Sequence, residues 1–353
     1  MNILYLINHA GQGGTEKYIK ILAQDMINRK NKCFLVYNEP GRLVDNMKSL
    51  GIETIRLNMK SPFDFKAAKI LRKLSKERNI DIIHTQFARE NYIAILSNSA
   101  KVVHTSHIIL KNNFIWKALN FVFMRRNKKI IALCDYSKKL LIDNKYPKSK
   151  ITVIPNGVSY KEDVALSLGN TPFTFVTLTR FSEEKGIFFL LESIKELKSR
   201  QVHFKVIFAG DGELLPKAKE YAIENSITEN VVFTGFVTEP EELLKNANCF
   251  INASKSEVIS FAILEAMSMG LAVIATNVGG NPDIVNYKTN CGLLVNYNDV
   301  NAMADSMEKM ITDKGFLKAC SSNSLKAIKN TFNIENILKM IYSVYKEEKH
   351  DFR

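Results

Sequence analysis

Along the whole chain, short apolar runs rich in β-branched residues alternate with longer stretches whose apolar positions recur at helical spacing. The runs at 2–7, 33–37, 80–84, 101–105, 129–133 and 151–154 form one succession, and those at 173–179, 204–209, 231–234, 249–252, 271–276 and 292–295 form a second. Continuously apolar strands separated by helices are the mark of parallel sheets covered on both faces. The pattern therefore predicts an α/β protein with two Rossmann-like, doubly wound domains. Pro155-Asn156-Gly157 and the polar stretch 159–171 read as turn and linker, which puts a boundary near 160–172 and domains at 1–165 and 166–332. The tail 333–346 has the apolar spacing of an amphipathic helix, through Ile334, Ile337, Leu338, Ile341, Tyr342, Val344 and Tyr345.

Length and composition agree with two cored domains: 353 residues, 46% of them apolar. No stretch reaches the roughly 18 apolar residues of a membrane span. The N-terminus runs without a basic leader into Ile3-Leu4-Tyr5-Leu6-Ile7, so a first strand is expected there rather than a signal peptide. Cys33, Cys134, Cys249, Cys291 and Cys320 are odd in number and form no CxxC, which fits reduced thiols in a cytoplasmic protein. Charge changes the picture more. Residues 1–165 hold 29 Lys or Arg against 13 Asp or Glu, while the remainder holds 20 against 23. Such asymmetry suggests an anionic partner for the first half: a phospholipid surface, a phosphate-bearing acceptor or nucleic acid. A solubilising Lys-rich surface would have the same composition. Nucleic acid ranks last, because no zinc-finger spacing, RNA-recognition signature or basic heptad region is present. The run 114–124, followed by Arg125-Arg126-Asn127-Lys128-Lys129, is an aromatic amphipathic helix with a basic end. It suits an anionic bilayer, with Trp116 at the interface, though a helix packed on its own sheet would use the same residues.

The densest chemistry lies in Ser-Glu-Val-Ile-Ser-Phe-Ala-Ile-Leu-Glu, where seven residues separate Glu257 from Glu265. Ser260 is placed to cap a helix starting at Phe261, with Gly270 at its stop. Glu257 then belongs to a strand-to-helix loop and Glu265 to the helix. Each carboxylate can accept two hydroxyl hydrogen bonds, and the free N–H groups at the helix start attract phosphate. Two solvated acids would show the same spacing. Gly11-Gln12-Gly13-Gly14 follows the first strand where a doubly wound domain binds ligands, with Thr15 able to cap the next helix; a plain tight turn is the alternative. Arg180 and Lys185 flank the loop after the first strand of the second half. They could converge on a diphosphate or pair with Glu183 and Glu184 at the surface. His104 and His107, three apart on a strand, would point to opposite faces, and neither a third ligand nor an Asp-x-Asp is in view, so no metal is expected.

The Glu-x7-Glu segment resembles that of retaining nucleotide-sugar glycosyltransferases of GT-B architecture, in particular glycosyltransferase family 4. Gly13-Gly14-Thr15-Glu16, Ile154-Pro155-Asn156-Gly157-Val158, Thr179-Arg180-Phe181-Ser182-Glu183-Glu184-Lys185-Gly186, Ala209-Gly210-Asp211-Gly212-Glu213 and Val232-Phe233-Thr234-Gly235-Phe236-Val237 match in order. Val258-Ile259-Ser260 departs from the family's frequent Gly-Phe-Gly. The resemblance implies two domains with a cleft between them, the first on the acceptor side and the C-terminal helix crossing back onto it. It implies that Glu265 meets the ribose hydroxyls, Glu257 the donor sugar, and Arg180 and Lys185 the diphosphate. Backbone at Ser260 and Phe261 would meet phosphate or sugar, and Gly212 and Phe236 the donor's surroundings. His107, Gly13 and Gly14 would complete the site without a metal or other cofactor. The expected partners are a nucleotide-diphosphate-sugar, most readily a UDP-sugar, and a lipid-linked or cell-surface glycan acceptor at the inner membrane face. A catalytically silent accessory subunit and a sugar-nucleotide epimerase or phosphorylase are the competing readings.

Overall fold

The computed structural model describes residues 1–107, 113–169, 171–285 and 288–347. Contacts divide the chain into two compact units, Met1–Asn156 together with the tail from Asn336, and Gly157–Glu335.

The first unit is built on seven parallel strands: β1 (Asn2–His9), β2 (Lys32–Glu39), β3 (Glu53–Arg56), β4 (Ile82–Thr85), β5 (Lys101–Ser106), β6 (Lys129–Ala132) and β7 (Ile151–Val153). Their order is β3-β2-β1-β4-β5-β6-β7, with Leu4 opposite Phe34 on one side and Ile83 on the other. Helices α1 (Gly14–Asn28), α2 (Arg42–Ser49), α3 (Phe65–Glu77), α4 (Ala88–Ser97), α5 (Phe114–Phe123) and α6 (Asp135–Asp143) connect them. Ile3 to Ile7 of β1 are all fully buried, because helices cover both sheet faces. The edge strand β3, Glu-Thr-Ile-Arg, has no buried residue and was not foreseen: its single apolar side chain and two charges carry no strand pattern.

The second unit has six parallel strands: β8 (Phe173–Leu178), β9 (Phe204–Ala209), β10 (Val231–Gly235), β11 (Cys249–Asn252), β12 (Ala272–Thr276) and β13 (Gly292–Val295), ordered β10-β9-β8-β11-β12-β13. Its helices are α7 (Ile187–Ser199), α8 (Leu215–Glu224), α9 (Glu241–Lys245), α10 (Phe261–Ser268), α11 (Asn281–Ile284), α12 (Val300–Thr312) and α13 (Lys314–Asn330). Phe175, Phe208, Ile251 and Ile274 centre its core.

The division falls at Asn156–Gly157 rather than within 160–172, because the segment taken as linker is already packed on the second unit. Val158 bridges to Asn333, its N–H donating to the Phe332 carbonyl at 3.0 Å, and Lys161 pairs with Glu241 at 2.6 Å. The tail helix α14 (Ile334–Glu347) buries Ile337, Ile341, Val344 and Tyr345. Tyr345 Oη lies 2.6 Å from His84 Nδ1, and the Arg29 guanidinium sits 4.5 Å from the Tyr342 ring centre. All five cysteines are buried and none is in a disulfide. Among the described residues, no helix is long and apolar enough to cross a membrane.

Candidate active site

In the second unit β8 lies between β9 and β11, so the loops leaving β8 and β11 diverge at the topological switch point, where doubly wound sheets bind ligands. The loop after β8 carries Arg180 and ends in a tight turn, Glu183–Lys185, closed by Gly186 at φ +64. A Cβ on Gly186 would collide with the Ala253 carbonyl oxygen, so glycine there lets the loop press against the end of β11. That contact seats Lys185 beside Glu257: Lys185 Nζ is 2.6 Å from Glu257 Oε1, and the Ser254 hydroxyl donates to the same oxygen at 2.9 Å. The pair is mostly sheltered, with the two side chains 22% and 13% exposed. From the other side Gly279, at φ +56, packs where any Cβ would strike the Glu257 carbonyl oxygen. The Glu257 loop is thus clamped between two glycines.

Arg180 stands out into solvent at 70% exposure, 3.5 Å from Glu184 Oε1. Its neighbour Phe181 is buried and ties the β8 loop to the β9 loop: Phe181 N–H donates to the Asp211 carbonyl at 2.9 Å, and Leu214 N–H to the Phe181 carbonyl at 3.0 Å. Gly212 lies between those two contacts. Ser260 caps α10, its hydroxyl accepting from Ile263 N–H at 3.4 Å. Phe261 opens that helix and Glu265 follows one turn along, both half-buried. Phe236 follows the edge strand β10 and is exposed. The structure therefore joins Lys185 to Glu257 directly, and places Arg180, Gly212, Ser260, Phe261 and Glu265 on the loops and helix at the ends of β8, β9 and β11.

In the first unit the switch point is between β1 and β4. α1 begins at Gly14 with Gly13 as its cap, and no side chain caps it, so Thr15 lies in the first turn and does not cap the helix as expected. Gly13 has φ 179, an extended backbone open to any residue. Beyond β4 and β5 lies a cavity of about 350 Å³ lined by Asn8, Gln86, Arg89, Glu90, His104 and His107 among others. Both histidines border it, contrary to the strand alternation expected, because β5 ends at Ser106 and His107 has left the pleat. His107 Nε2 is 2.9 Å from Gln86 Oε1, with the Tyr18 ring edge-on at 5.0 Å, and His104 Nδ1 is 3.0 Å from Thr85 Oγ1. Burial, with His104 nearby, pushes the His107 imidazole down to about 3, and burial pushes His104 down to about 4. Both rings are neutral at ordinary pH. Glu90 is fully buried, and neither of its oxygens is held at hydrogen-bonding geometry. Burial raises its carboxyl to about 7, against a partial pull from the N–H groups of Glu90 and Asn8 and from the Arg89 charge. Gln86, Glu90, Ser254 and Gly186 with Gly279 as clamps were not foreseen as parts of the site. The glycines alone left a signal, since each sits beside a candidate loop. Among the described residues, no three His, Cys, Asp or Glu gather as a metal site.

Two family models match the chain: Glycosyltransferase Family 4 over residues 12–162 and Glycosyl transferases group 1 over residues 160–327. The chain belongs to these glycosyltransferases. This glycosyltransferase is 26% identical over 341 residues to the UDP-Gal:alpha-D-GlcNAc-diphosphoundecaprenol alpha-1,3-galactosyltransferase of Escherichia coli, covering 88% of each chain. Its fold is similar to a crystal structure of a glycosyltransferase from Rickettsia africae ESF-5, with a TM-score of 0.89 at 22% identity over 99% of both chains. Anabaena Alr3699/HepE in complex with UDP matches with a TM-score of 0.85 at 17% identity, over 98% of this chain and 100% of that one. The two parallel sheets are those of the GT-B architecture.

Proposed function

We propose that this glycosyltransferase moves a sugar from a UDP-sugar to a hydroxyl of a lipid-linked or cell-surface polysaccharide precursor, with retention of anomeric configuration. The observation that carries the reading is the clamped Lys185–Glu257 pair at the switch point, beside the exposed guanidinium of Arg180. A cation and a carboxylate held together offer one group for phosphate and one for sugar hydroxyls. In this reading Lys185 and Arg180 take the diphosphate, Glu257 the donor sugar, and Glu265 the ribose. Backbone at Ser260 and Phe261 adds donors for phosphate, while Gly212 and Phe236 border the rest of the nucleotide. In the first unit, His107, as a neutral imidazole, and the Gly13-Gly14 turn are the groups assigned to the transfer. The bond from the anomeric carbon to the diphosphate breaks, the bond to the acceptor oxygen forms on the same face, and the acceptor proton passes to the departing diphosphate. Protein cations rather than a metal offset the charge growing on that diphosphate. The E. coli relative, named for a UDP-Gal donor and a diphosphoundecaprenol-linked acceptor, supports the choice of donor and acceptor class. So does the Anabaena neighbour solved with UDP. A cytoplasmic location, peripheral on the inner membrane face, goes with such an acceptor.

The test is transfer from a panel of UDP-sugars to polyprenyl-diphosphate-linked saccharides, with the product's anomeric coupling read by NMR. A product of the donor's configuration, lost on Glu257→Gln, is expected. An inverted product, or transfer undiminished in Glu257→Gln, contradicts the reading.

A further inference from the structure

Helix α5 is apolar on two opposite faces, and among the described residues only one of them is covered. On the inner side Trp116 stacks on Phe63 at 6.3 Å and 15°, Phe123 meets Tyr92 at 5.5 Å, and Tyr92 Oη donates to Asn120 Oδ1 at 2.7 Å. The only tryptophan of the chain therefore belongs to the packed side and not to an outward-facing one. On the outer side Phe114, Ile115, Phe121 and Val122 are 85%, 66%, 52% and 62% exposed. Seven residues are close to two helical turns, so these four form one stripe, with exposed Ala118 between them. They are four of the twelve large apolar side chains that stand exposed among the described residues. Packing against the core of this unit, with Phe63 and Tyr92 on Trp116, explains Trp116 and Leu119; it leaves this stripe without a role.

Charge selects what covers it. Residues 101–134 contain seven Lys or Arg and no Asp or Glu. Arg125 and Arg126 are exposed just beyond the stripe, and the Arg125 guanidinium lies 3.5 Å from the Phe121 ring centre. A second copy of the chain would bring this cationic surface against itself. An anionic lipid surface offers both an apolar layer for the stripe and phosphates for the arginines.

We propose that the outer face of α5 docks on an anionic phospholipid bilayer, with Phe114, Ile115, Phe121 and Val122 entering the interface and Arg125 and Arg126 meeting headgroup phosphates. This deepens the peripheral-membrane part of the proposed function and holds whichever sugar is transferred. The test is sedimentation of the full chain with vesicles of phosphatidylcholine alone and with about a third phosphatidylglycerol. The probes are wild type, a Phe114→Ser/Ile115→Ser/Phe121→Ser/Val122→Ser variant and an Arg125→Glu/Arg126→Glu variant. Wild type should bind the anionic vesicles at least about tenfold better than the neutral ones, and each variant should lose at least about tenfold of that. Because the altered side chains are exposed, melting temperatures should match. No wild-type binding, equal binding to both vesicles, or a four-serine variant that binds like wild type overturns the proposal. So does a wild-type dimer that the serine variant dissolves while its vesicle binding persists. UDP affinity, measured on the same preparations, should be unchanged throughout; its absence in wild type would sink the donor reading and leave the vesicle result standing.

Discussion

Removing one or the other partner of the Lys185–Glu257 pair should have different consequences for UDP binding. Two unit charges about 4 Å apart attract by about 4 kcal/mol at an effective dielectric of about 20, before desolvation is subtracted. The side chains are 22% and 13% exposed, between the surface limit of about 0.2–1 kcal/mol and the larger cost of breaking a buried pair, so a net coupling of about 1–2 kcal/mol is expected. A double-mutant cycle of Lys185→Ala and Glu257→Ala should show it, as roughly 3–6 °C of non-additivity in melting for a unit of this size. UDP then separates the roles. Lys185→Ala removes a charge-assisted contact to phosphate and should weaken UDP binding by about 10–100-fold. Glu257→Ala frees Lys185 from its carboxylate, so UDP binding should be unchanged or tighter while sugar transfer is lost. Calorimetric titration of UDP into the four proteins is the assay. Equal losses of UDP affinity in both single variants, or a coupling below about 0.3 kcal/mol, would refute the assignment.

Four further outcomes follow from the structure. Gly279→Ala puts a Cβ against the Glu257 carbonyl at φ +56, so it should cost about 1–3 kcal/mol in chemical denaturation and reduce transfer more than UDP binding. Below about pH 6.5 the unfolded chain protonates His84 and His104 while burial keeps them neutral in the fold. Stability present above that pH should therefore fall on acidification by up to about 1.4 kcal/mol per pH unit for each. Glu90 has the opposite sign: its raised carboxyl keeps its proton as pH climbs from about 4.5 to about 7, and the unfolded state does not, so stability is lost as pH rises. Glu90→Gln should then steepen the acid loss in denaturant melts across that window, and an unaltered slope would show that Glu90 is not buried in this way. Transfer should survive EDTA, and a loss restored by a divalent ion would contradict the role given to Arg180 and Lys185.

Fold class was legible because parallel strands covered on both faces are written as continuous apolar runs, and stretches of helical spacing separate them; β3 escaped because an edge strand needs no such run. The Glu257–Glu265 spacing placed one carboxylate in a loop and one on a helix, as Ser260 with its capping hydroxyl allowed. The pairing of Glu257 with Lys185, 72 positions away, was not legible. It depends on β8 being inserted beside β11, which no local pattern encodes. Glu90 was invisible for a related reason: residues 90–95 of α4 are buried all round, so the helix has no polar face to mark a carboxylate as inside. The side on which Trp116 packs stayed open because a helix with two apolar faces does not announce which one packs.

The most direct measurement is binding of UDP, ADP, GDP and dTDP to wild type, Arg180→Ala and Glu265→Ala by titration calorimetry. UDP binding tightest to wild type and falling at least about tenfold in both variants is the predicted result. A nucleotide that binds all three proteins alike, or no binding of any nucleotide to wild type, would contradict a donor site at the ends of β8 and β11.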